Sequence, residues 1–130
     1  MILGIGTDIV KMKRFHEVME KTPSILKRVF TPNEIMIAGK LTNVKRYTYY
    51  AKRFAAKEAV SKACGTGIGK VISWQDIEIS NLESGCPVAT LSQNSTALLK
   101  KNFKAKRLHL FLSLSDEKDY TVAFAVLEKN

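Results

Sequence analysis

Cysteine is scarce in this 130-residue chain: Cys64 and Cys86 stand alone, form no CxxC pair, and make neither a disulfide framework nor a thiolate metal centre. A reducing, cytoplasmic setting is the expectation. Long apolar runs are missing too, since no segment approaches the roughly 20 residues that span a bilayer. The apolar opening, residues 1–10, has no basic stretch before it and carries Asp8 inside it, so it reads as a strand and not as a signal peptide. There is no internal repeat and no linker. Acidic residues are in short supply, 12 against 21 Lys and Arg, for a net charge of +9. A partner bearing negative charge follows: nucleic acid, an anionic membrane surface, a polyphosphate or an acidic protein. Apolar residues at 45% and charged residues at 25% lie in the globular range. A chain of this length makes one domain, 1–130, with a modest core.

What is present is strongly patterned. Along residues 1–10, Leu3, Ile5, Thr7 and Ile9 alternate with Gly4, Gly6 and Asp8, giving a strand with one bare face. Met12, Phe15 and Met19 have helical spacing over about 11–21, and Pro23 stops that helix. A short helix then ends near Phe30. Thr31-Pro32-Asn33-Glu34 is a capping box with proline at the first helical position, opening a helix to about Ala38. A longer helix spans about 43–64 and closes at Gly65. Strands at 76–80 and 88–91 flank the turn at Ser84-Gly85, and a helix of about 93–101 follows. Residues 107–115 and 120–128 form a hairpin with Leu108, Leu110, Leu112 and Leu114 facing inward. Separate runs of helices and antiparallel strands define an α+β domain, an antiparallel sheet packed with a long helix.

Three features point to chemistry. Asp8 is unusual in a strand and shares its face with two glycines, where a group can approach closely; an N-cap for the next helix is the plainer reading. Glu58 interrupts the stripe of Ala51, Phe54, Ala55 and Lys62, and a carboxylate there needs a partner. Lys62, four residues on, is the simple one. Gly65-Thr66-Gly67-Ile68-Gly69 lacks the Gly-Lys-Ser/Thr ending of a P-loop and follows a helix, so it is a cap and turn or a backbone nest for phosphate. Arg53, Lys62 and Lys70 put positive charge beside it. Two carboxylates, a glycine loop and basic residues suit a magnesium ion holding a diphosphate.

The segments Gly4-Ile5-Gly6-Thr7-Asp8-Ile9, Arg53-Phe54-Ala55-Ala56-Lys57-Glu58-Ala59, Lys62-Ala63 and the Gly65 to Gly69 loop resemble, in order, those of the holo-acyl-carrier-protein synthases, a family of 4′-phosphopantetheinyl transferases. Asp76-Ile77-Glu78-Ile79, the Gly85-Cys86-Pro87 turn and Ser113-Leu114-Ser115 extend the likeness along nearly the whole chain. The resemblance implies Mg²⁺-dependent transfer of phosphopantetheine from coenzyme A to a serine of apo acyl carrier protein, serving fatty acid biosynthesis. It also implies a homotrimer with active sites between subunits, in which Asp8 and Glu58 need not meet within one chain. By position, Asp8 and Glu58 would hold the metal. Glu58 would be the candidate base, and Lys62 would lie at the phosphates and neutralise the leaving group. Asp8, Arg53, Ser61, Lys62, Gly65, Thr66, Gly67 and Pro87 would line the coenzyme A pocket. Lys11, Arg14 and Lys21, a basic stripe with Val18, would face the acidic carrier protein, with Arg14 foremost.

Two positions depart from the family pattern: Asp116 stands where a histidine is common, and Cys86 where a basic residue is common. Asp116 would repel phosphate unless it joins the metal or points away; as a turn residue it needs no further role. A coenzyme A-binding homologue inactivated by Asp116 and a basic nucleic-acid-binding module are the competing readings. Against the second, no helix-turn-helix, zinc finger or RNP motif is present, and aromatics do not interleave with basic residues. We expect neither DNA nor RNA to bind as tightly as an acidic carrier protein. A filter-binding titration showing comparable, steeply salt-dependent nucleic-acid affinity would reverse that choice.

Overall fold

Small residues decide how the main helix meets the sheet. In the computed structural model, which describes residues 1–130, the chain runs β1 (Ile2–Lys11), α1 (Met12–Lys21), α2 (Ile25–Val29), α3 (Pro32–Gly39), α4 (Asn43–Ala63), a 3₁₀ turn (Trp74–Asp76), β2 (Ile77–Asn81), β3 (Pro87–Leu91), α5 (Gln93–Phe103), β4 (Leu108–Asp116) and β5 (Tyr120–Lys129). One antiparallel sheet has the order β1-β5-β4, and β2-β3 forms a separate hairpin. The α+β architecture read from the sequence holds. No helix is long and apolar enough to cross a membrane.

The glycine face of β1 is not open space. A Cβ on Gly4 would sit 2.1 Å from the carbonyl oxygen of Ala63, and one on Gly6 would sit 2.0 Å from that of Ala59. The backbone of α4 occupies the room the glycines leave, against Ala123 and Ala125 of β5, which are also fully buried. Ile5 and Ile9 lie on the opposite side of β1, 62% and 63% exposed, and Phe111 and Phe124 share that outer sheet face. The side that alternation marks as bare is therefore the packed one, because close backbone approach rewards the smallest residue.

The capping box at Thr31 forms in full: the Glu34 N–H donates to Thr31 Oγ1 and the Thr31 N–H to Glu34 Oε1. Its Glu34 does more than cap. The side chains of Glu34 and Lys57 are both completely buried, with Nζ and Oε1 2.7 Å apart. Lys57 Nζ also donates to the carbonyls of Val29 and Trp74, while the Ile79 N–H donates to Glu34 Oε2. Burial draws the Lys57 ammonium below the ordinary lysine range, and Glu34 opposes that shift by charge and hydrogen bond. This one pair joins α2, α3, α4, the 3₁₀ turn and β2.

Replacing Gly6 with Ala forces a methyl into the Ala59 carbonyl and should cost about 3 kcal/mol or more in urea unfolding. Lys57→Met leaves a buried carboxylate unpaired and should cost about 3–5 kcal/mol in the same measurement. Losses below about 1 kcal/mol at either position would contradict the packing described.

Candidate active site

Asp8 belongs to the face of β1 that carries Gly4 and Gly6, so the strand that lets α4 approach also delivers a carboxylate to it. Lys62 Nζ donates to the Thr7 carbonyl at 2.9 Å and to Asp8 Oδ1 at 3.3 Å. Its partner is thus Asp8 across the strand and not Glu58 one turn back on the helix. Burial raises the Asp8 pKa, with Lys62 pulling it partly back. Burial also raises that of Glu58, the negative charge of Asp8 adds to the rise, and Lys62 opposes it. Asp8 and Glu58 therefore face the same cleft within one chain, a point the resemblance left open.

Both carboxylates line a cleft of about 380 Å³ whose other walls include Phe15, Val18, Ile25 and Phe54, with Lys11 and Arg14 also lining it. The Phe15 and Phe54 rings pack with centroids 4.8 Å apart. Lys11 ends β1 and precedes the first residue of α1, Lys21 is the last residue of that helix, and Val18 between them is exposed. The basic stripe is present, but its first member lies on the strand.

The glycine loop is a helix cap. Gly65 (φ +76°) donates its N–H to Lys62 O, and Thr66 and Gly67 (φ +61°) both donate to Ser61 O. This is the Schellman pattern, with left-handed glycine supplying the reversal. Gly69 donates to Ile72 O, so four of the loop's N–H groups are spent internally, which favours the cap-and-turn reading over a phosphate nest. Thr66 Oγ1 donates to the Gly67 carbonyl. Ser61 is fully buried and its hydroxyl donates to the Glu58 carbonyl at 2.8 Å, which holds the turn that carries Glu58.

Arg53 lies elsewhere on α4. Its guanidinium covers the Tyr49 ring at 4.2 Å and donates from Nη2 to Asn81 Oδ1 at 3.0 Å. Pro87 pairs with Asn81 across the β2-β3 ladder and so belongs to this second locality. A cavity of about 570 Å³ is lined there by Lys45, Tyr49, Lys52, Arg53 and Asn81, among others. Arg53 Nε and Tyr49 OH are buried with no hydrogen-bond partner. Tyr49, Lys52 and Asn81 escaped the sequence reading, although Tyr49 precedes Arg53 by one helical turn. Asp116 points to Lys52, its Oδ1 3.4 Å from Nζ. Of the two cysteines, Cys64 is buried, its thiol pushed up to about 11, and Cys86 is exposed.

Two carboxylates on one cleft, with a cation alongside, could hold a hard metal ion and an anionic ligand. No group of three or more His, Cys, Asp or Glu side chains gathers anywhere, so a tight all-protein metal cage is absent. A pair suffices for Mg²⁺, which takes few carboxylates and completes its shell with water and phosphate oxygens.

The chain belongs to the 4′-phosphopantetheinyl transferase superfamily, whose profile matches residues 4–125. It is 45% identical over 128 residues to the holo-acyl-carrier-protein synthase of Pelagibacter ubique, covering 98% of each. Its fold superposes on the Neisseria meningitidis holo-acyl-carrier-protein synthase with a TM-score of 0.86 at 38% identity, over 99% of this chain and 100% of that one. The Bacillus anthracis holo-acyl-carrier-protein synthase, solved in complex with CoA (3′,5′-ADP), gives a TM-score of 0.83 at 38% identity, over 100% of this chain and 99% of that one.

A carboxylate whose native pKa is raised penalises the fold fully above that pKa, and the penalty fades as pH falls through it towards the unfolded value. Glu58→Gln should therefore raise the melting temperature of chelator-treated protein at about pH 8 and gain less at about pH 4.5. Thermal unfolding at the two pH values is the check; a uniform loss would show that Glu58 is stabilising and not strained.

Proposed function

We propose that this chain carries out its family's transfer, of 4′-phosphopantetheine from coenzyme A to a serine of apo acyl carrier protein with release of adenosine 3′,5′-bisphosphate, at the Asp8, Glu58 and Lys62 cleft. The observation that carries the reading is the convergence of those three side chains beside an apolar, basic-rimmed cleft. Asp8 and Glu58 would hold Mg²⁺, and relief of their repulsion favours a divalent cation between them. Held by these two carboxylates, Mg²⁺ would supply neutralisation of the negative charge on phosphate oxygens.

The chain's own groups supply the rest. Glu58 accepts the serine proton from its place on the wall of the cleft. Lys62, anchored on Thr7 O and Asp8, neutralises charge on the leaving bisphosphate. Ser61 acts indirectly, by holding the Glu58 carbonyl, and Gly65 to Gly67 by ending α4 where Lys62 can reach β1. Lys11, Arg14 and Lys21 offer the acidic carrier protein a basic rim next to the cleft. The cavity at Arg53, with its unpartnered Nε and neighbouring lysines, takes the phosphate-bearing nucleotide end, next to Pro87.

Arg53 lines a different cavity from Asp8 and Glu58, and Pro87 pairs with Asn81 of that second cavity, so a site that uses both sets draws them from two copies. A homotrimer answers this need, and the exposed outer sheet face of Ile5, Ile9, Phe111 and Phe124 is an apolar surface suited to it. The setting is cytoplasmic fatty acid biosynthesis.

Incubation with apo acyl carrier protein, coenzyme A and Mg²⁺ should add one phosphopantetheine to the carrier by mass spectrometry. Glu58→Gln should lower the rate at least about a hundredfold in folded protein. No addition by the wild type with a competent carrier would refute the transfer, and full activity of the variant would remove Glu58 from it. Light scattering should report three copies, and Phe111→Asp should shift them to monomers that turn over poorly; a fully active monomer would refute the shared site.

A further inference from the structure

Lys52 and Arg53 are consecutive on α4 and both line the second cavity, yet their partners differ. Arg53 Nε and the Tyr49 hydroxyl are buried behind that lining without hydrogen-bond partners. Lys52 is instead engaged from outside the cavity lining by Asp116, the last residue of β4, at 3.4 Å. Lys45, the third cation of the lining, has no carboxylate within ion-pair distance, and neither does Arg53. Asp116 is thus the one carboxylate paired with any cation of this cavity. Both members of the pair are partly exposed, Asp116 at 41% and Lys52 at 29%, so the contact can open without unfolding.

We propose that Asp116 is a built-in counter-anion that competes with the phosphates of an incoming nucleotide for Lys52 and so sets the affinity of this cavity. The inference rests on placing the phosphate-bearing end of the nucleotide in the Arg53 cavity. In the free protein Asp116 cancels the charge of Lys52 and turns its ammonium towards the β4-β5 tip. A polyanion brings more charge than a single carboxylate and draws Lys52 to itself, at the cost of breaking its pair with Asp116. The pair therefore weakens the hold on nucleotide, which favours release of the bisphosphate product.

Isothermal titration with adenosine 3′,5′-bisphosphate at low salt tests this on the wild type, Asp116→Asn, Lys52→Met and the double variant. Asp116→Asn should bind about three- to fivefold tighter, the scale of one partly exposed ion pair, and the gain should shrink with added salt. Lys52→Met should bind more weakly, and Asp116→Asn should have no effect in the Lys52→Met background. Adenosine, which lacks phosphate, should distinguish none of the four. Unchanged or weaker binding by Asp116→Asn, or a gain that persists without Lys52, would overturn the proposal. If the four proteins bind the bisphosphate alike, the inference alone falls; if the wild type does not bind it, the nucleotide placement falls as well.

Discussion

The contact on which the rest depends is the approach of β1 to α4 at Gly4 and Gly6. Side chains there would collide with the helix carbonyls of Ala59 and Ala63 within about 2 Å, so only glycine allows the spacing. Two residues on, the same strand face presents Asp8, and the close approach brings that carboxylate into hydrogen-bond reach of Lys62. Strand period and helix period thus combine: Gly4, Gly6 and Asp8 repeat every two residues, while Ala59 and Ala63, Glu58 and Lys62 repeat every four. The packing device and the chemical site share a few turns of chain.

The buried ion pair of Glu34 and Lys57 gives the helix its second reference. Lys57 adjoins Glu58 but points the other way, into α2, α3 and the 3₁₀ turn, where it makes an ion pair and two backbone hydrogen bonds. With every polar atom of that network engaged, rotation of α4 about its axis would cost several kcal/mol. Opposite flanks of one helix turn therefore do different work: Lys57 holds the helix in place, and Glu58 faces the cleft that Asp8 also lines.

Electrostatics then divides the molecule. The excess of +9 is spread over the surface, but two parts of it border cavities. Lys11 and Arg14 line the carboxylate cleft, and Lys45, Lys52 and Arg53 line the second cavity, where Asp116 neutralises one charge. The departure at Asp116 thus has a local counterion in Lys52. Lys100, Lys101, Lys104 and Lys106 gather around the end of α5, where the helix dipole favours cations, and make no ion pairs.

Local pattern in the sequence determined the α+β class, the capping box at Thr31, the long helix, the leucine-faced hairpin, and the residues Asp8, Glu58 and Lys62 as a chemical set. Those are matters of period and of neighbours within a turn, which sequence records directly. Only the tertiary structure decided that the glycine face is the packed one, that Lys62 pairs with Asp8 and not with Glu58, and that Glu34 pairs with Lys57. It also decided that the loop N–H groups are spent on a helix cap and that Arg53 and Pro87 lie apart from the carboxylates. Each of these turns on what fills the space beside a residue. Lys62 meets a partner 54 positions away and Arg53 one 28 positions away, distances over which no spacing rule links two side chains.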